Sequence, residues 1–368
     1  MMGFTSTFGG MIMISRLLAA TLLFASAAPQ YHFTFLPAGF NAAQLNDAGQ
    51  VVGDAGGAAA IYAGGVVTTV VAAPSFGAGI NDQGDITGYL DRNFTPEAFT
   101  YIGGTFTNID PLVASLPAET SGVEINNSGL VGGNTYLGGE NTRGFLFRDG
   151  VVEHIGTFGG DYSPLTALNN LGAATGYAAF AGPAGGSYYH AYIYQNGALQ
   201  DLGTLAGSAP ETDSYGSDIN DLGQVVGYSG SRPFLYSGGN MIDLGSPGTY
   251  AGGAQALNDA GVIVGYALFN PAPSEPDWRA FVYDNGALVD LNTLADAPAG
   301  WRIINAPDIN EAGQILATAC QGSTCSSVLL TPVPEPAAGL LLLAGLGLVA
   351  QRRLQGRNLS GTGLATAA

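Results

Sequence analysis

Few side chains in this sequence could do chemistry, and they are scattered. The three histidines, His32, His154 and His190, lie far apart, whereas zinc takes three or four ligands from His, Cys or carboxylate. That scatter predicts strand residues, and it opposes a Ser-His-Asp triad, for which no Gly-x-Ser-x-Gly elbow exists. Cys320 and Cys325 flank a four-residue segment. An even cysteine count at close spacing in an exported chain predicts a disulfide across a turn, stabilising by about 2 kcal/mol. Aspartate follows asparagine at 46–47, 81–82, 220–221 and 258–259, which would suit calcium. Calcium wants six to eight oxygens, each turn offers one carboxylate, and Asn127 and Asn170 replace it elsewhere. No cofactor is therefore expected, and calcium is the one cation the turns could gather. Glu211 with Asp213, and Glu275 with Asp277, are carboxylate pairs in the longest loops. Pairs about 5–9.5 Å apart can hydrolyse glycosides, but spacing in sequence does not set that distance. Tyr188, Tyr189, Tyr215, Trp278 and Trp301 stand near the same stretches, where aromatic rings can stack on sugars or pack between repeats. No catalytic residue follows from this inventory.

The elements that must position these groups are more legible. Leu/Ile-Asn-x-x-Gly occurs seven times, at Asn46–Gly49, Asn81–Gly84, Asn126–Gly129, Asn169–Gly172, Asn220–Gly223, Asn258–Gly261 and Asn310–Gly313. The asparagines are 35, 45, 43, 51, 38 and 52 residues apart, a period that marks a tandem supersecondary unit. After each turn comes a β-branched run ending in Gly, such as Val225-Val226-Gly227. An alternating piece follows, such as Ala280-Phe281-Val282-Tyr283, then a tight turn, such as Asn285-Gly286. The third piece is of the Asp-Leu-Gly kind, and a variable loop leads to a fourth piece before the next asparagine. Period-2 alternation bounded by Gly and Asn predicts strands. Asn-Gly predicts a hairpin, and the Gly of Asn-x-x-Gly fits the left-handed last position of a three-residue hairpin loop.

Four short strands in about 44 residues is the size of a propeller blade. The fold expected is all-β, a seven-bladed propeller of four-stranded antiparallel blades. The last unit stops after its second piece, Ser327–Leu330, while residues 32–36 and 43–45 read as a third and a fourth piece. The amino-terminal segment is thus expected to complete the last blade, which would leave few open strand edges.

Gly numbers 57 and charged residues are only 10% of the chain; there is no lysine. Between residues 28 and 334, 6 Arg face 27 Asp and Glu. A field of that sign repels phosphate backbones and excludes nucleic acid as a partner; it keeps a Gly-rich surface soluble.

Both ends read as addresses. Arg16, the apolar run 17–28 and the small-x-small site Ala25-Ser26-Ala27 form a secretory signal peptide, cut by signal peptidase; Met11 or Met13 is the expected start. At the other end Pro334-Glu335-Pro336 precedes an apolar stretch, 337–350, and then Arg352-Arg353. Fourteen helical residues rise about 21 Å, short of the roughly 30 Å hydrocarbon core, and the arginines would hold the far end on the cytoplasmic side. This tripartite order resembles the PEP-CTERM sorting signal of exopolysaccharide-producing Gram-negative bacteria. The resemblance implies a transmembrane helix as a transient inner-membrane tether, processing by an exosortase-type enzyme near Pro334–Pro336, and delivery to the cell surface. The phrases His190-Ala191-Tyr192, Arg279-Ala280-Phe281, Arg143-Gly144-Phe145 and Glu97-Ala98-Phe99, with Asp-Leu-Gly, resemble the "extracellular repeat" family named for its His-Ala-Phe motif, a family that supplies no catalytic residues.

The expected organisation is a signal peptide (1–27), a propeller (28–331), a sorting signal (332–353) and a basic/polar tail (354–368). The expected role is that of a secreted, surface-sorted, non-catalytic protein that binds or structures extracellular polysaccharide. The alternative is a polysaccharide hydrolase or lyase on the same scaffold.

Overall fold

The computed structural model describes residues 30–334, apart from 114–118, 139–140, 182–186, 210, 246–250 and 271–276. The chain divides into two units, Met1–Pro332 and Val333–Ala368. The described residues of the first form 28 strands in seven separate four-stranded antiparallel sheets. Blade 1 runs β2 (Phe40–Leu45), β3 (Val51–Ala55), β4 (Ala58–Ala63), β5 (Val66–Val71). Blades 2 to 6 repeat this order with β6–β9 (Ser75–Ile80 to Thr105–Asn108), β10–β13 (Glu119–Ile125 to Val151–His154), β14–β17 (Leu165–Leu168 to Ala198–Asp201), β18–β21 (Ser214–Ile219 to Asn240–Asp243) and β22–β25 (Gly252–Leu257 to Ala287–Asp290). Blade 7 holds β26 (Arg302–Ile309), β27 (Ile315–Gln321) and β28 (Thr324–Pro332), and its outer strand is β1 (Tyr31–Phe35).

The amino-terminal strand therefore closes the ring, Phe33 standing opposite Leu330. The closure differs from the sequence expectation in one respect: the segment before Asn46 does not join the last blade. It is β2, the inner strand of blade 1. The reason is the turn. Asn46 N donates to Gln50 O, Gly49 N donates to Asn46 O, and Gly49 has φ +74°, so the pieces on either side of each asparagine are a hairpin and share a sheet. The long connection, from third piece to fourth, crosses to the next blade.

Each hydrophobic cluster lies between two neighbouring blades. Val52, Ile80, Ile86 and Phe99 fill the space between blades 1 and 2, and Leu45, Val51, Leu316 and Leu329 that between blades 7 and 1. Burial between faces explains the Ala-Phe motif, since Ala98, Phe99, Ala280 and Phe281 are wholly buried. A wheel of this kind has no separate central core, and the axis is left for polar groups.

Candidate functional site, an axial channel and its aromatic mouth

The seven asparagines converge on the axis. Each is only 3–6% exposed. Asn46 Nδ2 donates to Asn81 O at 2.8 Å, Asn81 to Asn126 O at 3.2 Å, and Asn126 to Asn169 O at 3.0 Å. Asn169 continues to Asn220 O at 2.9 Å, Asn220 to Asn258 O at 3.2 Å, Asn258 to Asn310 O at 3.2 Å, and Asn310 returns to Asn46 O at 2.9 Å. In all seven repeats the side-chain oxygen accepts from the amide four residues on, as Asn46 Oδ1 does from Gln50 N. Asparagine fits because one side chain must accept within its own turn and donate to the next blade.

A second ring sits on the following residue. The Asp47 amide donates to Asp82 Oδ1, Asp82 to Asn127, Asn127 to Asn170, and Asn170 to Asp221. Asp221 donates to Asp259, Asp259 to Glu311, and Glu311 back to Asp47, at 2.7–2.9 Å throughout. The Asn-Asp pairs that suggested calcium thus spend one side-chain oxygen each on a neighbouring blade's backbone. Burial, reinforced by the neighbouring carboxylates, raises the pKa of Asp47 and Glu311.

Two residues before each asparagine, the inner strands place Gln44, Gly79, Glu124, Ala167, Asp218, Ala256 and Asp308. Long and short alternate around most of the ring because seven long side chains cannot share the axis. A Cβ on Gly79 would lie 2.8 Å from Glu124 Cα. The long ones bridge blades: Gln44 Oε1 accepts from Ile80 N, Asp218 Oδ2 from Leu257 N, and Asp308 Oδ2 from Leu45 N. Burial pushes the Asp308 carboxyl up to about 7, with Asp218 and Asp47 adding to the rise, and that of Asp218 up to about 6. Burial also raises Glu124 well above the usual carboxylate range.

These groups face inward because of a β-bulge that recurs in the inner strands, between Ala42 and Gln44, Gly77 and Gly79, Gly122 and Glu124, and so on round the ring. The extra residue breaks the two-residue period and re-aims the chain. It also presses the first strand's carbonyl onto the second: a Cβ on Gly53 would meet Asn41 O at 1.9 Å, which explains the Gly that ends each Val-Val-Gly run. Neither bulge nor ring was read from the sequence, although the Asp, Asn or Glu after each asparagine carried the signal.

The two mouths differ. The Asn-x-x-Gly turns and the turns from third to fourth strand, such as Gly64-Gly65, Asn196-Gly197 and Asn285-Gly286, lie at one end of the blades; the turns from second to third strand, Gly56-Gly57 among them, and the variable connections lie at the other. At the variable end the channel opens into a cavity of about 470 Å³, whose wall includes Asn41, Asp54, Phe76, Tyr89, Glu124 and Gln255. Tyr89, Tyr177, Tyr228 and Tyr266 each follow the glycine of a second strand and are half-buried. Tyr89 stacks on Phe76 with centroids 5.0 Å apart, Tyr215 lies 4.7 Å from Tyr177 and 4.8 Å from Tyr228, and Tyr266 meets Trp278 at 5.5 Å. Burial raises the hydroxyl pKa of Tyr89, Tyr177, Tyr215 and Tyr228, so they remain neutral donors. Trp301 packs against Phe35, 4.7 Å away, and Tyr188 lies flat on Phe180 at 4.8 Å.

The remaining sequence candidates stay apart. His32 bonds Asp296 and His190 bonds Asp201, each at 2.9 Å, while His154 sits exposed at the end of β13. Asp213 accepts from Tyr189 N and the Tyr215 hydroxyl, and Asp277 pairs with Arg279 and Arg302; Glu275 lies outside the described residues. In three blades the residue at the first position of the His-Ala-Phe phrase pairs with the Asp that opens the next strand's Asp-Leu piece, His190 with Asp201, Arg232 with Asp243, and Arg279 with Asp290; Arg143 instead pairs with Asp161, and Glu97 with Arg92 and Asn108. Cys320 and Cys325 are disulfide-bonded opposite each other in β27 and β28. Among the described residues no three of His, Cys, Asp and Glu are grouped to hold a metal ion, and no helix is long and apolar enough to cross a membrane. Ala25, Ala27, Glu335, Pro336, the 337–350 stretch, Arg352 and Arg353 lie outside the described residues, and Pro334 ends the described chain.

Residues 332–357 match the PEP-CTERM protein-sorting motif. The motif marks a secreted, surface-sorted protein and implies processing by an exosortase-type enzyme. No curated protein matches the chain. Among solved structures it is similar to the β-propeller domain of the Trilobed protease from Pyrococcus furiosus, described as having an open velcro topology. The identity is 11% and the TM-score 0.55, over 79% of this chain and 93% of that one. It is also similar to the extracellular domain of the putative one component system BT4673 from B. thetaiotaomicron, at 11% identity and TM-score 0.47, over 82% of this chain and 40% of that one. TolB from Acinetobacter baumannii follows at 16% identity and TM-score 0.37, over 53% and 50%. The first of these supports the propeller fold.

Proposed function

We propose that the propeller is a non-catalytic recognition module of the cell surface that binds extracellular polysaccharide through the aromatic mouth of its channel. The observation that carries this reading is the asymmetry of the two ends. One end is rimmed by two rings of hydrogen bonds around a polar cavity of about 380 Å³ that Asn46, Asp47 and their equivalents line. The other opens into a cavity with half-buried Tyr89 on its wall, beneath the variable loops of a rigid scaffold, the usual place for recognition. Aromatic faces with neutral hydroxyls suit sugar rings. In this reading the repeats belong to the His-Ala-Phe extracellular class. Signal peptidase cuts after Ala27, residues 337–350 tether the chain transiently to the inner membrane, and an exosortase-type enzyme acts at Pro334–Pro336. A glycan array probed with the secreted protein tests it: binding lost in Tyr89→Ala, which removes an aromatic ring of the cavity wall, is expected, and an array with no signal overturns it.

Asp218 and Asp308, pushed up to about 6 and about 7, give a second reading some support, since a polysaccharide hydrolase or lyase needs an acid near neutrality. Both oxygens of each already accept backbone amides, which favours the binding role. New reducing ends or shortened chains on incubation with exopolysaccharide, lost in Asp308→Asn, would establish the enzyme instead.

A further inference from the structure

The hairpin between β7 (Ile86–Asp91) and β8 (Pro96–Ile102) breaks a rule that this chain otherwise keeps. Arg92 and Thr95 exchange backbone hydrogen bonds of 3.0 and 3.2 Å, so Asn93 and Phe94 form a two-residue turn, with φ +58° and +65°. Among the described residues seven other consecutive pairs have positive φ at both positions, and each ends in glycine, as Gly56-Gly57 and Asn285-Gly286 do. That left-handed region strains a residue with a Cβ and suits glycine. Phe94 is also 92% exposed, more than any other large apolar residue described, so its ring stabilises nothing within the folded chain. A strained backbone under a solvated phenyl ring points to a role outside the chain.

The same hairpin helps to wall a recess of about 420 Å³ between blades 1 and 2. Val70, Val71, Pro74, Leu90 and Phe106 line it with two alanines, and Arg92 is the one polar side chain of that lining. Phe106 is 42% exposed and residues 72–74 are exposed, so the recess is open to solvent. We infer that Phe94 and this recess are the knob and the hole of a symmetric pair of copies, each Phe94 ring seated in the other copy's recess. A sugar needs hydrogen-bonding groups beside the ring it stacks on, and the lining offers Arg92 alone, whereas a phenyl ring needs none. Knob and hole share one hairpin, so a single two-fold axis beside it satisfies both at once, as an isologous interface requires. Charge points to the same patch. With 6 Arg against 27 Asp and Glu between residues 28 and 334, two copies repel over most of their surface, but residues 55–81, which form one side of the recess, carry no charge. Each phenyl ring takes about 150–250 Å² out of water. Two of them, with the walls they meet, make an interface at or below the roughly 1,200 Å² of small specific complexes, so the pair is weak, with a Kd of about 10–100 µM.

Sedimentation velocity of the full secreted chain, from about 1 µM to about 500 µM, tests it. A reversible equilibrium between monomer and dimer is expected. Phe94→Gly should weaken association about tenfold or more. It should also raise the urea midpoint of the dilute monomer, because glycine relieves the turn. Ala72→Glu, which puts a charge at the mouth of the recess, should weaken association as much with an unchanged melting curve. Val151→Ser, at an exposed position of blade 3, should leave association unchanged. A chain that stays monomeric throughout, grows beyond a dimer, or pairs as well in Phe94→Gly overturns the inference. Loss of a glycan-array signal in Phe94→Gly, with the parent chain monomeric throughout, would put the ring on sugar and overturn it as well.

Discussion

Asn310 donates its side-chain amide to the backbone carbonyl of Asn46, 2.9 Å away in space and 264 residues away in sequence. This bond turns a row of seven repeats into a ring. Glu311 and Asp308 add two more ties across the same seam, to Asp47 and to Leu45 N, inside the strand pairing of β1 with β28.

Any break in the asparagine ring should therefore be costly. Asn220→Ala removes the bond to Asn258 O and leaves Gln224 N without its side-chain acceptor. Burying unpaired groups costs about 1–3 kcal/mol each, so urea unfolding should show a loss of about 2–4 kcal/mol. Asp47→Asn, by contrast, keeps the acceptor and removes a repelled charge, and should be neutral or stabilising, as Asn127 and Asn170 fill the same place. An equal loss in both variants would contradict the ring.

Removing residues 30–36 takes away β1 and the buried Phe33. Deleting a core phenylalanine alone costs about 3–5 kcal/mol, so the truncated protein should unfold at clearly lower urea than the parent. A truncation that also removes β2 should be worse, because it opens blade 1 as well as blade 7.

The channel carboxylates set a pH dependence. Asp308 and Asp218 have folded pKa values of about 7 and about 6, above the model-peptide value of about 3.9. Between roughly pH 4 and 7 the folded state then holds more protons than the unfolded state, so stability falls as pH rises through that window. Asp47, Glu124 and Glu311 are raised and act in the same direction. Thermal melts should give a higher Tm at pH 5 than at pH 8, and Asp308→Asn should flatten the difference.

Arg279 bonds both Asp277 and the buried Asp290. Its hydrogen bonds hold the Asp277 carboxyl below the usual range. Arg279→Leu should cost about 2–4 kcal/mol in denaturant unfolding because it strands Asp290. Arg279→His, the residue of the equivalent position in blade 4, should recover part of that.

Reduction of the Cys320–Cys325 bridge closes the set. The loop is short, so the loss should be about 2 kcal/mol, read as a lower urea midpoint at unchanged slope.

The sequence by itself determined the local structure: alternating strands, Asn-Gly hairpins and the left-handed glycines of Asn-x-x-Gly, because each depends on a few consecutive residues. It determined the count of seven as well, because the Asn-x-x-Gly turn recurs once in each unit. Which strand shares a sheet with which was only partly legible, and the closing segment at 43–45 was assigned to the wrong blade, because a long connection has no local signature. The channel was decided by the tertiary structure alone. Asn46 meets Asn81, Asp47 meets Asp82, and Tyr177 meets Tyr215 only when the blades assemble: the asparagines repeat along the chain, but a repeat does not say which group of the next blade each one meets.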